Sequence, residues 1–174
     1  HISHLQLVHP DDYPRFGQLG VAANFQALWA FPDQYITAVN LPVVGQARVD
    51  RMYPLASIQR AGGMLVFGSD WFVSSMNPLL AIETAVTRQD PEGSGEAVLN
   101  ANERIPLDVA LAGYTRNGAM LMHQEDRTGT IEPGKQADLV VLARDLFAID
   151  PRAIGEVPVV MTVFGGRIVY EKES

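Results

Sequence analysis

Cysteine is absent from this sequence, which excludes disulfides and thiolate metal sites and leaves the redox compartment unread. Histidine is scarce: His1, His4, His9 and His123 are the whole supply. Any metal centre would therefore have to be built from very few imidazoles plus carboxylates, and no His-x-His pair occurs. No apolar run approaches the ~18 residues of a membrane span, and no secretory signal opens the chain. The cytoplasm is thus only a default expectation for localisation. Basic residues are outnumbered, 13 against 20, for a formal charge of −7, which argues against nucleic acid or an anionic membrane as partner. Phosphate cradles and a Ser-His-Asp pattern are missing too; Gly62-Gly63 and Gly165-Gly166 read as turns. There is no internal repeat and no low-complexity tract.

What is present is the composition of a folded protein. With 47% hydrophobic and 19% charged residues over 174 positions, the chain can bury a core of one domain, or of one domain and part of a second. It starts with His and runs almost at once into a strand-like segment, as a processed product or an excised piece of a longer protein would.

Residues 1–8 alternate weakly and read as a short strand, and Pro10-Asp11-Asp12 is a helix start whose acids complement the helix dipole. Gly20 stops that helix, and residues 21–26 form a second strand. Strand, helix and strand in under thirty residues is the signature of a βαβ unit with parallel strands. Residues 30–51, broken by Pro32, Pro42 and Gly45, read as a long loop with short helical turns. A helix over 53–61 feeds the apolar run Met64 to Gly68, which suits a strand buried on both faces. Pro78 opens a helix to about Arg88 with one apolar stripe of Leu79, Ile82, Ala85 and Val86. The segment 90–102 reads as an exposed loop, followed by helices over 107–114 and 115–123 with a bend near Asn117-Gly118. From Asp126 onward the chain is mostly β: a type II turn at Pro133-Gly134, a strand over 139–142, and strands over 159–164 and 167–170 joined by Gly165-Gly166. The pattern predicts an α/β part over residues 1–125 and a β-rich part over 126–174.

Chemistry-bearing candidates sit where strands end. Asp70 follows an apolar strand, and burying a carboxylate costs several kcal/mol unless it is paired, hydrogen-bonded or metal-bound. It reads either as a cap for the turn or the following helix, or as a metal ligand and general base for metal-assisted hydrolysis. His4, with Gln6, reads either as a metal ligand held by a strand end or as a polar rim or hydrogen-bonded core residue. His1 and His4 are three apart and would point to opposite faces of a strand. His9 reads as solvent-facing and His123 as a favourable charge at a helix end. Trp29 and Trp71 are either pocket walls for an apolar substrate or core residues. Gln26 ends the second strand.

Several stretches together resemble the amidohydrolase superfamily, specifically the amidohydrolase-3 branch that includes N-substituted formamide deformylases. They are I-S-H-L-Q (2–6), D-D-Y-P-R-F-G-Q-L-G-V (11–21), N-F-Q-A-L-W (24–29), F-G-S-D-W (67–71), Y-T-R-N-G-A (114–119), G-T-I-E-P-G-K-Q-A-D-L-V-V-L (129–142) and the closing G-G-R-I-V-Y. Each motif alone is weak; their order over nearly the whole chain is specific. The resemblance implies a metal-dependent hydrolase, with zinc as its metal when complete, on a TIM-like barrel with a small β-sandwich built from both chain ends. It implies that His4 is a metal ligand on the fifth barrel strand and that Asp70 coordinates metal and activates water. Gln26, Trp29 and Trp71 are then the candidates for contacting a small amide-type substrate.

Departures from the family pattern bear on the same point. The first-strand His-x-His pair is missing, and a sixth-strand position that is often His is Trp29. On this alignment the chain starts at strand five, lacks half the barrel and lacks the N-terminal strands of the sandwich. A catalytic zinc site usually takes three protein ligands and an open position, and only two are offered here. Two readings follow: the C-terminal portion of an amide-bond hydrolase, inactive alone, or a non-catalytic α/β piece stabilised by self-association or a partner covering its open edges. A ligand-binding module walled by Trp29 and Trp71 is a third. The exposed strand edges of a part-barrel predict a homo-oligomer.

Overall fold

A computed structural model describes residues 1–93 and 95–173. In chain order its regular elements begin with β1 (Ile2–Ser3), a 3-10 turn at Pro10–Asp12, α1 (Tyr13–Gln18) and β2 (Ala23–Phe25). Next come α2 (Leu41–Val44), α3 (Gln46–Val49), α4 (Leu55–Arg60), β3 (Leu65–Phe67), α5 (Pro78–Thr87), α6 (Leu107–Tyr114) and α7 (Arg116–Leu121). The strands β4 (Leu139–Leu142), β5 (Val159–Phe164) and β6 (Arg167–Glu171) close the series. The fold is α/β with two separate three-stranded sheets: β1-β2-β3, all parallel, and β4-β5-β6, antiparallel.

Residues alternate across the parallel sheet as its pleat requires. Ala23, Phe25, Leu65 and Phe67 point into a helix-covered core with Phe16, Leu55, Ile58, Ile82 and Ala110. Helices lie close because small residues permit it: a Cβ on Gly113 of α6 would run into the Phe67 ring, and one on Gly17 of α1 would lie 2.8 Å from the Gly62 carbonyl oxygen. Arg88 adopts the left-handed conformation (φ 61°) just past α5, and its side chain is 0% exposed. The guanidinium donates to the carbonyls of Met52, Tyr53 and Leu99 at 2.8 to 3.0 Å, tying two distant segments to the end of α5.

Several expectations need correcting. The three parallel strands fall where the sequence places them, but they are shorter than expected. The first strand is only Ile2–Ser3, because His4 and Leu5 take positive φ values of 74° and 51° and turn the backbone out of the sheet. Residues 30–51 are not mainly loop: a π-helical turn over Tyr35–Asn40 runs into α2 and α3, anchored by Ile36 and Val49 in the core. Helix α5 is buried nearly all round, Glu83 and Thr84 included, because it is packed on the Ala27–Trp29 turn, α6 and the Pro151–Ala153 turn. The bend before α7 falls at Thr115 (φ −119°, ψ −92°), not at Asn117-Gly118. Within the 90–102 segment, Ala101–Glu103 forms a 3-10 turn, and Ser94 lies outside the described residues. No helix among the described residues is long and apolar enough to cross a membrane.

The β-rich end follows its turn chemistry. Gly134 at φ 94°, with Lys135 N–H donating to the Glu132 carbonyl at 3.2 Å, makes the type II turn. Gly165 and Gly166, both at positive φ, close the β5–β6 hairpin. The strands themselves are thinly covered, and every residue of β6 is exposed.

Candidate functional site

Three strand ends meet at the C-terminal edge of the parallel sheet. His4 follows β1, Gln26 follows β2, and Gly68-Ser69-Asp70 follow β3. Ser3 is in register with Asn24, so their side chains leave the sheet on the same face, opposite the helix-covered core. The Asn24 amide donates from Nδ2 to Ser3 Oγ at 3.3 Å. Gln26, two residues on from Asn24, is only 4% exposed. An ideal Cβ placed on Gly68 would lie 3.9 Å from both Asn24 Oδ1 and Gln26 Nε2. Neither Asn24 Oδ1 nor Gln26 Oε1, both buried, has a hydrogen-bond partner.

His4 and Trp29 are brought together. The imidazole stacks on the indole with ring centroids 5.4 Å apart and planes 5° from parallel, which fixes the orientation of His4. Its Nδ1 is buried and unpartnered, so the hydrogen-bonded core reading fails for that nitrogen. Trp29 is half-buried; Trp71 is 63% exposed and is not a core residue.

Asp70 sits in the left-handed conformation (φ 52°) on an exposed loop. Its backbone carbonyl accepts from Val73 N–H at 2.7 Å, closing the loop. The helix-cap reading is overturned: α5 is capped by Asn77, whose Oδ1 accepts from Leu79 N–H at 3.0 Å. His9 is exposed and caps the Pro10–Asp12 turn, its Nδ1 accepting from Asp11 N–H at 3.3 Å. His1 and His123 are exposed and lie outside the cluster.

The ends of β1 and β3 are separated by two strand spacings, roughly 10 Å. No group of three or more His, Cys, Asp or Glu side chains able to hold a metal ion occurs among the described residues. An open cleft of about 340 Å³ lies between β1 and α1, lined by Leu5, Val8, Phe16 and Leu19 among others, and none of His4, Gln26, Trp29 or Asp70 borders it.

Groups with displaced pKa values lie in the packed core, away from the strand ends. Burial pushes the Arg88 guanidinium down to about 10, opposed by the Glu103 carboxylate. Burial also raises the Glu83 carboxyl, against the Gly155 N–H that donates to it at 2.8 Å and the nearby Arg152. Tyr53 and Tyr114 are raised by burial as well. These shifts mark packing, so the strand-end cluster has to be recognised by geometry. Sequence reasoning reached His4, Gln26, Trp29 and Asp70 but passed over Ser3, Asn24 and Gly68 as functional residues. The i, i+2 spacing of two carboxamides in a half-buried strand was the available signal.

The chain belongs to the amidohydrolase family: the model described as "Amidohydrolase family" matches residues 1–170. It is 33% identical over 172 residues to the protein LONG AFTER FAR-RED 3 of Arabidopsis thaliana, covering 97% of this chain and 28% of that protein. It is 32% identical over 122 residues to the N-substituted formamide deformylase of Arthrobacter pascens, covering 70% of this chain and 22% of the deformylase. An uncharacterized metal-dependent hydrolase from Pyrococcus horikoshii superimposes with a TM-score of 0.72 at 27% identity, over 86% of this chain and 30% of its own. The chain thus spans about a third or less of the length of the curated relatives it matches.

Metal dependence is a property of that relative, and the residues here meet its demand only in part. The unpartnered His4 Nδ1 and the exposed Asp70 carboxylate are suitable nitrogen and oxygen donors. They are two strands apart, and no third donor joins them among the described residues. The described residues do not by themselves form a complete metal holder.

Proposed function

We propose that this chain is the C-terminal portion of a metal-dependent hydrolase acting on amide-type C–N bonds, and that it supplies one wall of an active site completed by residues it does not contain. In this reading residues 1–125 are the last strands and helices of a TIM-like barrel, and residues 126–174 are strands of a small β-sandwich. His4 serves as a ligand, for zinc by the chemistry of the donors, and Asp70 as a ligand and proton acceptor. Gln26, Trp29 and Trp71 face a small amide-type substrate. The observation that carries it is His4: a buried, unpartnered imidazole nitrogen, oriented by Trp29, at the C-terminal edge of a parallel sheet. Ligands in open α/β sheets gather at that edge.

Reconstitution tests it. The chain alone, supplied with zinc, should hydrolyse none of a panel of N-substituted formamides, acylamides and cyclic amides. Refolded with the separately expressed, His-x-His-bearing remainder of the formamide deformylase, it should gain turnover that His4→Ala and Asp70→Ala each abolish. Turnover unaffected by both substitutions would overturn the assignment.

A second reading draws on the surface of β4-β5-β6. Phe164, Ile168, Val169 and Tyr170 are exposed there, and such a sheet invites self-association or cover by a partner. A non-catalytic homo-oligomer would give a concentration-dependent mass in light scattering and no gain of activity on reconstitution.

A further inference from the structure

We propose that Asn24 and Gln26, standing over Gly68, form a recognition site for an amide edge on which N–H and C=O lie on the same side. A primary carboxamide, a lactam or a urea presents such an edge. The inference deepens the hydrolase reading and rests on it for its biological sense, because it names the part of the substrate that this chain would hold.

The argument begins with the direction of each polar atom. Asn24 spends its Nδ2 on Ser3 Oγ, which leaves Oδ1 as an acceptor facing away from Ser3. Gln26 presents Nε2, a donor, toward the same place. Both atoms lie 3.9 Å from the point where a Gly68 Cβ would stand. They do not bond to each other, since Asn24 Oδ1 has no partner at all. An acceptor and a donor are therefore the two side-chain atoms nearest the space over Gly68.

Burial makes this arrangement costly unless something bridges it. Gln26 is 4% exposed, and its own Oε1 is buried and unpaired as well. Buried polar groups in folded proteins are overwhelmingly hydrogen-bonded, so each exception calls for an explanation. A ligand N–H donating to Asn24 Oδ1 would satisfy that acceptor, and a ligand C=O accepting from Gln26 Nε2 would complete one planar contact. Any side chain at position 68 would occupy that space, which gives Gly68 a role beyond turning the chain.

Geometry also sets the selectivity. A trans secondary amide places N–H and C=O on opposite sides and engages only one of the two groups. A carboxylate offers no N–H and would set its charge against Asn24 Oδ1. The site thus favours an intact amide over the acid that hydrolysis leaves behind.

The test is an NMR titration of the labelled chain in metal-free buffer, reading the side-chain NH2 resonances of Asn24 and Gln26. Propionamide and 2-pyrrolidinone should shift both pairs saturably. N-methylpropionamide and propionate should bind about tenfold or more weakly, the factor that losing one good hydrogen bond gives. Gly68→Ala is the decisive variant, because its new methyl meets only ordinary contacts and the backbone there needs no positive φ. It should keep the folded spectrum and lose propionamide binding, as should Gln26→Glu, which replaces the donor with an acceptor. Equal binding of all four probes, no saturable shift with any of them, or unchanged binding in Gly68→Ala would overturn the proposal. With no metal in the sample, such a failure is distinct from failure of the metal assignment.

Discussion

Strands β2 and β6 are both short, yet Phe25 in β2 is 0% exposed while Val169 in β6 is 60% exposed. The difference lies in what each sheet finds to cover it. The parallel sheet is joined by helical crossovers, and those helices return to bury its Phe25 face. In the antiparallel sheet β5 and β6 are joined by a tight turn, and the longer β4–β5 connection sends Leu146, Ile154 and Val157 into the main core, so β6 gains no cover from either. One sheet is thus packed by its own connections, and the other depends on something outside the hairpin. The same contrast runs across the parallel sheet itself. Its helix-covered face is full, while its opposite face carries Asn24 and Gln26 with unpaired acceptors. The surfaces left unfinished are the ones the hydrolase reading assigns to missing partners.

Stability should follow this division. Phe25→Ala should lower the free energy of unfolding by about 3–5 kcal/mol in urea denaturation, the usual cost of emptying a large core site. Val169→Ala should change it by less than about 0.5 kcal/mol, as surface substitutions do. Equal costs would break the comparison and mean that the second sheet is covered in solution.

Arg88→Met is the next largest. It keeps much of the side-chain volume but leaves the carbonyls of Met52, Tyr53 and Leu99 without their donor. A loss of about 3 kcal/mol is expected, with faster amide exchange at residues 52–55 and 99–101. Exchange rates unchanged at both segments would mean that Arg88 does not tie them together.

Glu83 sharpens the comparison from the edge of the core. Its carboxyl pKa is raised by burial, so the folded state holds its proton more tightly than the unfolded state. The folded state then binds more protons between the unfolded and folded pKa values, and stability falls as pH rises through that window. Moving from neutral toward mildly acid pH should therefore stabilise the protein through this group, and Glu83→Gln should remove that increment. Thermal melts of both proteins across the same pH series measure it; identical profiles would contradict the assignment.

Much of this was legible in the sequence, and for identifiable reasons. Glycine and proline punctuation located the hairpin at Gly165-Gly166, the turn at Pro133-Gly134 and the start of α5 at Pro78, because each imposes a local backbone conformation. Motif order located the family. Arg88 was not legible, because a lone arginine at a helix end looks like a solvated charge; its three carbonyl partners come from segments 11 to 36 residues away. The Asp70 cap reading failed for a different reason: the loop runs on to Asn77, and an asparagine directly before Pro78 was the local cap signal that was passed over. Residues 30–51 misled because Pro42 sits in the first turn of α2, where a helix tolerates it, and Pro32 lies before the helical segment begins.

The central claim is that His4 and Asp70 are part of a metal site that other residues must complete. Zinc titration of the isolated chain by calorimetry, beside His4→Ala, tests it most directly. The account predicts weak binding, in roughly the micromolar range or above as befits fewer than the usual three protein ligands, and its loss in His4→Ala. Tight stoichiometric zinc binding by the chain alone, or binding indifferent to His4, would contradict it.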